Sequence, residues 1–360
     1  MKKIGLALSG GGIRATVFHL GVLQYLADAG LFGRVASLSS VSGAGLAVGV
    51  LFAVSGHKWP TARDFTEKVM PRVREIVLRN SLQAVALRRL VYSPGYWHRR
   101  VELLARVLED RWGIHGDLQQ MPTYPFWEIN CTTFETGKSF RFRRNYMGDP
   151  VVGYVQYPRL PISHMIAASA AFPVLIGPYI LKTGDYEWSH DKHGKMHKPT
   201  EHDHYTLWDG GVYDNLGLDP LYKIGRGLDD EIDYLIVSNA AGSIGHQARR
   251  GHVSISNLKR LLDIAMSQVD SLRSREVYAS TILQKRGMYV KIGYTMAEIA
   301  QKRGIPLSQL RKDDKEYLTD AQVQQALHYP TTLNAPSEKS FKLLFRHGYE
   351  TAMACGEGRF

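Results

Sequence analysis

Residues 4–9 form a short apolar run that ends in three glycines, and between 15 and 29 apolar residues return at helical spacing, with Val17, Leu20, Leu23 and Leu26 on one stripe before a stop at Gly30. This spacing predicts a strand, a tight turn and a helix. A second unit of the same kind follows: residues 35–41 are rich in Val, Leu and Ser, small residues come next, and residues 46–54 are apolar again. Two such units in succession predict a parallel sheet covered on both faces. Further along, residues 126–133 and 139–143 read as strands about a turn at 135–138, and 163–171 as a small-residue helix ended by Phe172-Pro173. Residues 179–208 read as a hairpin with a polar, histidine-rich tip, 233–238 as a strand, and 253–283 and 337–354 as helices. No internal repeat, low-complexity tract or linker interrupts the pattern. The expectation is one domain over residues 1–360, with a basic helical insertion at about 57–120 and a C-terminal helical part at about 250–360.

Composition removes several classes. With 44% hydrophobic and 22% charged residues in 360, the chain has the makings of a globular protein with a sizeable core, not of a disordered or fibrous one. Two uncharged stretches, 35–56 and 160–181, are long enough to suggest membrane spans, but serine and glycine clusters break the first and Pro161, Pro173, Pro178 and His164 break the second. They read as buried elements of a core. The N-terminal residues mimic a signal peptide only briefly before glycines and Arg14 intervene. Cys131 and Cys355 have no disulfide or metal-ligand spacing, which predicts a reducing, cytoplasmic compartment.

A net charge of +11 implies attraction to anions, whether nucleic acid, lipid headgroups or small molecules. Between residues 72 and 111, Arg72, Arg74, Arg79, Arg88, Arg89, Arg99, Arg100, Arg106 and Arg111 alternate with apolar residues, Tyr92, Tyr96 and Trp97. That mixture suits amphipathic helices with a cationic face and interfacial aromatics, and equally a solvated helical surface.

The candidate chemistry lies in the turns. A nucleophile elbow needs small residues two before and two after its serine, so that strand and helix can approach. Ser37, Ser39 and Ser40 fail this rule on flanks Val35, Val41 and Leu38, whereas Ser42 stands between Ser40 and Ala44, with Gly43 beside it. Those flanks depart from the usual glycines of the elbow. The Gly10-Gly11-Gly12-Ile-Arg14 turn, at a helix N-terminus, can aim backbone N–H groups at a developing negative charge. It also fits the looser dinucleotide pattern G-x-G-x-x-A, but the next strand ends without the acidic residue a ribose requires, and no Gly-Lys-Ser/Thr follows for a P-loop. Asp209 follows an apolar strand and precedes Gly210 and Gly211, which let the backbone bend and would project the carboxylate; a plain hairpin turn has the same look. Of the histidines, His19 lies on the apolar side of the first helix, as a core residue would, and the group between 190 and 204 lacks a ligand pattern for metal.

Taken in order, Gly10-Gly-Gly-Ile-Arg14, His19-Leu-Gly-Val-Leu23, Ser-Val-Ser42-Gly43, Ala168-Ser-Ala-Ala-Phe-Pro173 and Asp209-Gly-Gly-Val-Tyr-Asp-Asn215 resemble the patatin-like phospholipase family, and residues 329–334 with 347–349 are similar to the tail of bacterial members. The resemblance implies an α/β protein with a three-layer α/β/α fold, a mostly parallel central sheet and added helices. It implies hydrolysis of membrane phospholipid acyl esters by a Ser42–Asp209 dyad, with Gly10, Gly11 and Gly12 as oxyanion hole. Arg14, Gly43, Gly210 and Gly211 would support them, and the family uses no metal or cofactor. The expected partner is a phospholipid membrane surface reached by peripheral association, with no nucleic acid. A small-molecule or protein activator and an oligomer stay open, as do a ligand-activated membrane-degrading effector of the anti-phage type and a lipid-binding pseudoenzyme.

Overall fold

In the computed structural model, which describes residues 2–173, 176–242, 254–310 and 316–359, both strand–turn–helix units fall where the spacing predicts them. β1 (Ile4–Leu8) leads through the glycines into α1 (Gly12–Asp28), and β2 (Val35–Ser40) turns into α2 (Gly43–Val54). The helices start at Gly12 rather than Ala15 and at Gly43 rather than Leu46, because glycine and alanine carry little periodic signal. The basic region holds α3 (Met70–Arg79), α4 (Leu82–Tyr92) and α5 (Arg100–Trp112). Then come β3 (Phe126–Thr133), β4 (Ser139–Phe142), β5 (Tyr146–Asp149), β6 (Gly153–Gln156), α6 (Ile162–Ser169), β7 (Tyr179–Lys182), β8 (Trp188–Ser189) and β9 (His204–Asp209). β10 (Tyr234–Asn239), α7 (Ile255–Val277), β11 (Gly287–Lys291) and α8 (Glu338–Gly356) complete the main frame. Hydropathy does not reveal β5, β6 or β11, whose segments carry glycine and charged or polar residues among few apolar ones. Val253, the expected start of α7, lies outside the described residues.

The sheet runs β11-β10-β1-β2-β3-β4-β5-β6-β8. It is parallel from β11 to β3 and antiparallel beyond. Alternation divides the core in two: Ile4, Leu6, Leu8 and Ile236 join the larger buried cluster, whereas Ala7, Leu235 and Val237 join the smaller one. The larger cluster lies under α1, α2 and α8. The smaller is closed by Leu216, Leu218, Leu221 and Val277. That is a three-layer arrangement, as expected. α1 and α8 cross closely at two glycines, since a Cβ at Gly21 would stand 2.0 Å from the Phe345 carbonyl oxygen and one at Gly348 would stand 2.1 Å from that of Phe18. α2 is buried from Gly43 to Phe52. Among the described residues no helix is long and apolar enough to cross a membrane.

One detail of register sets up the site. β4 occupies one edge of β3, opposite Ile129 to Thr132. The other edge is shared: β2 pairs along it as far as Ser40 opposite Ile129, and β9 arrives from the opposite direction and ends with Asp209 opposite Cys131. The C-terminal ends of β2 and β9 therefore meet along β3.

Candidate active site

Ser42 sits at the N-cap of α2 with φ 51° and ψ −117°, in the positive-φ region that non-glycine residues rarely enter. Ser37, Ser39 and Ser40 lie within β2 and are buried. Ser42 alone breaks the buried run from 35 to 52. The turn survives without glycine flanks because Ser40 is accommodated, its Oγ accepting from Trp127 Nε1 at 2.9 Å, and Ala44 is fully buried. Glycine is required one residue later: a Cβ at Gly43 would lie 2.1 Å from the Gly12 carbonyl oxygen. The elbow and the glycine loop touch backbone to backbone.

Asp209 is buried, and burial pushes its carboxyl up from 3.8 to about 7, against hydrogen bonds from the Gly211 N–H and the Ser42 hydroxyl. The Gly211 N–H donates to its Oδ1 at 2.7 Å. The same environment raises the opposing Cys131 thiol well above its ordinary value, through burial and the nearby Asp209 charge. Gly210 packs onto β3, where a Cβ would meet the Asn130 carbonyl oxygen at 2.3 Å.

The glycine loop departs from the expectation in one respect. The Gly10 N–H donates to the Asn215 carbonyl at 3.0 Å, so it is not free for an oxyanion; what Gly10 supplies is room, since a Cβ there would stand 3.3 Å from Ser42 Cβ. Gly11 and Gly12 have φ of 143° and 60°, and among the described residues no protein acceptor meets either N–H. Arg14 braces the loop through Nε to the Ala240 carbonyl at 3.0 Å and Nη1 to that of Tyr329 at 2.5 Å. Its burial lowers the guanidinium to about 10. α1 and α2 thus direct their N-terminal, positive ends to one place, outside the carboxyl ends of parallel strands.

Three further residues join these parts, and hydropathy gives no hint of them. Ser169 Oγ accepts from the Ser42 N–H at 2.9 Å and donates to the Asn130 carbonyl at 2.7 Å, while the Ser169 carbonyl accepts from the Gly210 N–H at 3.4 Å. One residue thereby holds both the elbow and the aspartate turn. Its signal was the Ala168–Pro173 motif, expected to line the core beside the site with no part in the chemistry. Asn215, at the end of the Asp209 motif, places Oδ1 where a Cβ on Gly10 or Gly211 would collide, and its Nδ2 donates to Asp270 Oδ2 at 3.1 Å. Burial lifts Asp270 to about 7. His19 is a core residue, its ring nitrogens 2.8 Å from Ser238 Oγ and 2.9 Å from the Ser9 carbonyl, and burial lowers it to about 4.

Above this floor lies a cleft of about 970 Å³, reached by Ser42, Asp209 and the three glycines below and walled by α4, α5, α7 and residues 327–333. Leu82, Leu87, Leu90, Leu103, Leu104, Phe172 and Ile176 give one side an apolar lining. α7 gives the other side a polar one.

A cleft of mixed polar and apolar lining at the carboxyl ends of parallel strands is the usual place for a ligand site in an α/β protein. The sequence profile of the Patatin-like phospholipase family matches residues 6–222, and the chain belongs to that family. Among solved structures, human GIVD cytosolic phospholipase A2 aligns with 99% of this chain at 14% identity and a TM-score of 0.56, the chain spanning 61% of that protein. The same human enzyme in complex with methyl gamma-linolenyl fluorophosphonate and terbium chloride aligns at 14% identity and a TM-score of 0.53, over 99% of this chain and 58% of that one. At this identity the likeness concerns the fold. No curated protein matches the chain by sequence.

Proposed function

We propose that the chain is a lipid acyl hydrolase of the phospholipase A type in which Ser42 is the nucleophile and Asp209 its base. The observation that carries this is the pairing of a strained, solvent-reached serine with a buried carboxyl whose affinity for protons has been brought near neutrality. Asp209 takes the Ser42 hydroxyl proton as Oγ bonds to the ester carbonyl carbon, and the carbonyl π electrons move to oxygen. The Gly11 and Gly12 N–H groups and the two helix N-termini stabilise that oxyanion. Its collapse expels the lysolipid alkoxide, which leaves with the proton held by Asp209. Water then attacks the acyl-enzyme with Asp209 again as base, the fatty acid departs and Ser42 regains its proton. Arg14, Gly43, Gly210, Gly211, Ser169 and Asn215 act by holding these groups in place. The whole chain works as one domain whose helices α4, α5 and α7 form the rim, associated peripherally with a membrane.

The test is labelling with a fluorophosphonate, the reagent class bound in the human structure. Wild type should carry a single adduct on Ser42 by peptide mass mapping, and neither Ser42→Ala nor Asp209→Ala should be labelled. Labelling that persists in Ser42→Ala would show that another residue is the nucleophile.

A further inference from the structure

The helix α7 is amphipathic the wrong way round for a globular protein. At about 100° per residue, Lys259, Asp263, Met266, Asp270 and Ser274 fall on the side that lines the cleft. The opposite side carries Leu258, Leu261 and Leu272, which are 63%, 63% and 62% exposed. Across the cleft mouth, α4 and the turn after it repeat the arrangement: Leu87 and Leu90 line the cavity, while Val91 and Tyr92 are 75% and 79% exposed and Trp97 is 58% exposed. Large apolar side chains displayed in this way on both lips of one opening mark an interaction surface.

The charges around the lips identify its partner. Arg72, Arg74, Arg79, Arg89 and Arg99 are neutralised by Glu75, Glu338, Asp110 and Glu102, so most of the basic insertion is already matched. Among the described residues, Arg88 on the outer side of α4 meets no carboxylate, nor do Arg260 and Arg275 on α7, which stand at the cleft wall. Unmatched cations beside exposed leucine, tyrosine and tryptophan complement an anionic lipid surface. A protein or a second copy seated across both lips would shut the cleft, whereas a bilayer would present acyl esters to it.

We infer that the apolar outer face of α7, with Val91, Tyr92 and Trp97 opposite, is the surface by which this protein docks on an anionic phospholipid bilayer with its cleft facing the lipid. The choice of lipid rests on the acyl-hydrolase reading above; the surface itself does not. It also moves the contact from the arginine-rich insertion as a whole to two narrow lips.

The experiment is co-sedimentation with vesicles of phosphatidylcholine containing about a third phosphatidylserine, comparing wild type with L258S/L261S/L272S and with V91S. The triple variant should lose about tenfold or more of its vesicle affinity and V91S about threefold, while wild-type binding should weaken steeply as salt rises. None of these residues lines the cleft, so turnover of a water-soluble short-chain ester should stay within about twofold and certify the fold. If the triple variant fails to fold, the single variants L258S and V91S read the same surface. Unchanged vesicle affinity overturns the inference, and so does a wild-type dimer that becomes monomeric in the triple variant with lipid binding intact. Wild type that binds vesicles through this face but cleaves no ester would leave the docking surface standing and remove the hydrolase reading.

Discussion

The floor and the rim of the cleft are built on opposite principles. On the floor, Ser42, Asp209 and Gly10 to Gly12 are held by backbone contacts and by buried hydrogen bonds through Ser169, Asn215 and Arg14. At the rim, one partly exposed ion pair, Arg89 with Asp110, links α4 to α5, and α7 turns leucines to solvent. Strain such as the positive φ of Ser42 persists only where its surroundings over-determine it. The floor therefore suits chemistry that tolerates little displacement, and the rim suits the lipid contact proposed above.

The largest expected effect tests the floor as a catalytic unit. Ser42→Ala and Asp209→Asn should each lower kcat on a soluble ester by about a thousandfold or more, and the double variant little further, because groups that act together are not additive. In the proposed mechanism only the ionised Asp209 accepts the serine proton. Activity should accordingly rise with pH through about 7 and level off above it. A profile flat from pH 5 to 9 (about four units) would remove Asp209 as the base.

Ser169 sharpens the comparison, since it does not line the cleft and bonds to both turns. Ser169→Ala should reduce kcat by about tenfold to a hundredfold with KM nearly unchanged. Ser169→Thr, which keeps the hydroxyl, should recover part of the loss. Equal losses in kcat and stability for both variants would mean that Ser169 is only a packing residue.

Asp209 also sets a cost on the fold. Its proton affinity is higher folded, at about 7, than at the ordinary 3.8, so the native chain holds more protons between those values. Its contribution to stability is complete below about pH 4 and is lost as pH rises through about 7. Asp209→Asn should then be more stable than wild type at pH 8 by about 1–2 kcal/mol, with the gain vanishing near pH 4. Urea melts at the two pH values measure it; a destabilised Asp209→Asn at pH 8 would contradict the burial of a charged carboxylate.

How much of this was legible in the sequence follows from the same contrast. Ser42 could be chosen among four neighbouring serines because steric demand at an elbow acts on flanking residues, which the sequence displays. The two strand–turn–helix units were legible from periodicity for the same reason: local order leaves local marks. The role of Gly10 was not, because whether an N–H is free depends on Asn215 far along the chain. Ser169 and Asp270 act through partners on other elements, and no spacing rule connects them. The rim was misleading in composition. Its arginines read as a cationic face, yet their carboxylate partners are interleaved or, like Glu338, distant, and the apolar face of α7 emerges only once its polar side is seen to line the cleft.

The smallest expected effect lies at the rim and tests whether it is as loosely specified as it looks. Arg89 on α4 and Asp110 on α5 pair at 2.7 Å, but their side chains are 33% and 52% exposed, so water and salt screen the attraction and ordering two side chains offsets part of it. Arg89→Ala and Asp110→Ala should each shift stability by less than about 1 kcal/mol, with a coupling of about 0.5 kcal/mol in the double-mutant cycle. Neither residue lines the cleft, and turnover of a soluble ester should not change. A coupling of about 2 kcal/mol or more, or a clear loss of turnover, would show that α4 and α5 are fixed as tightly as the floor, and the rim would then have to be treated as part of the catalytic framework.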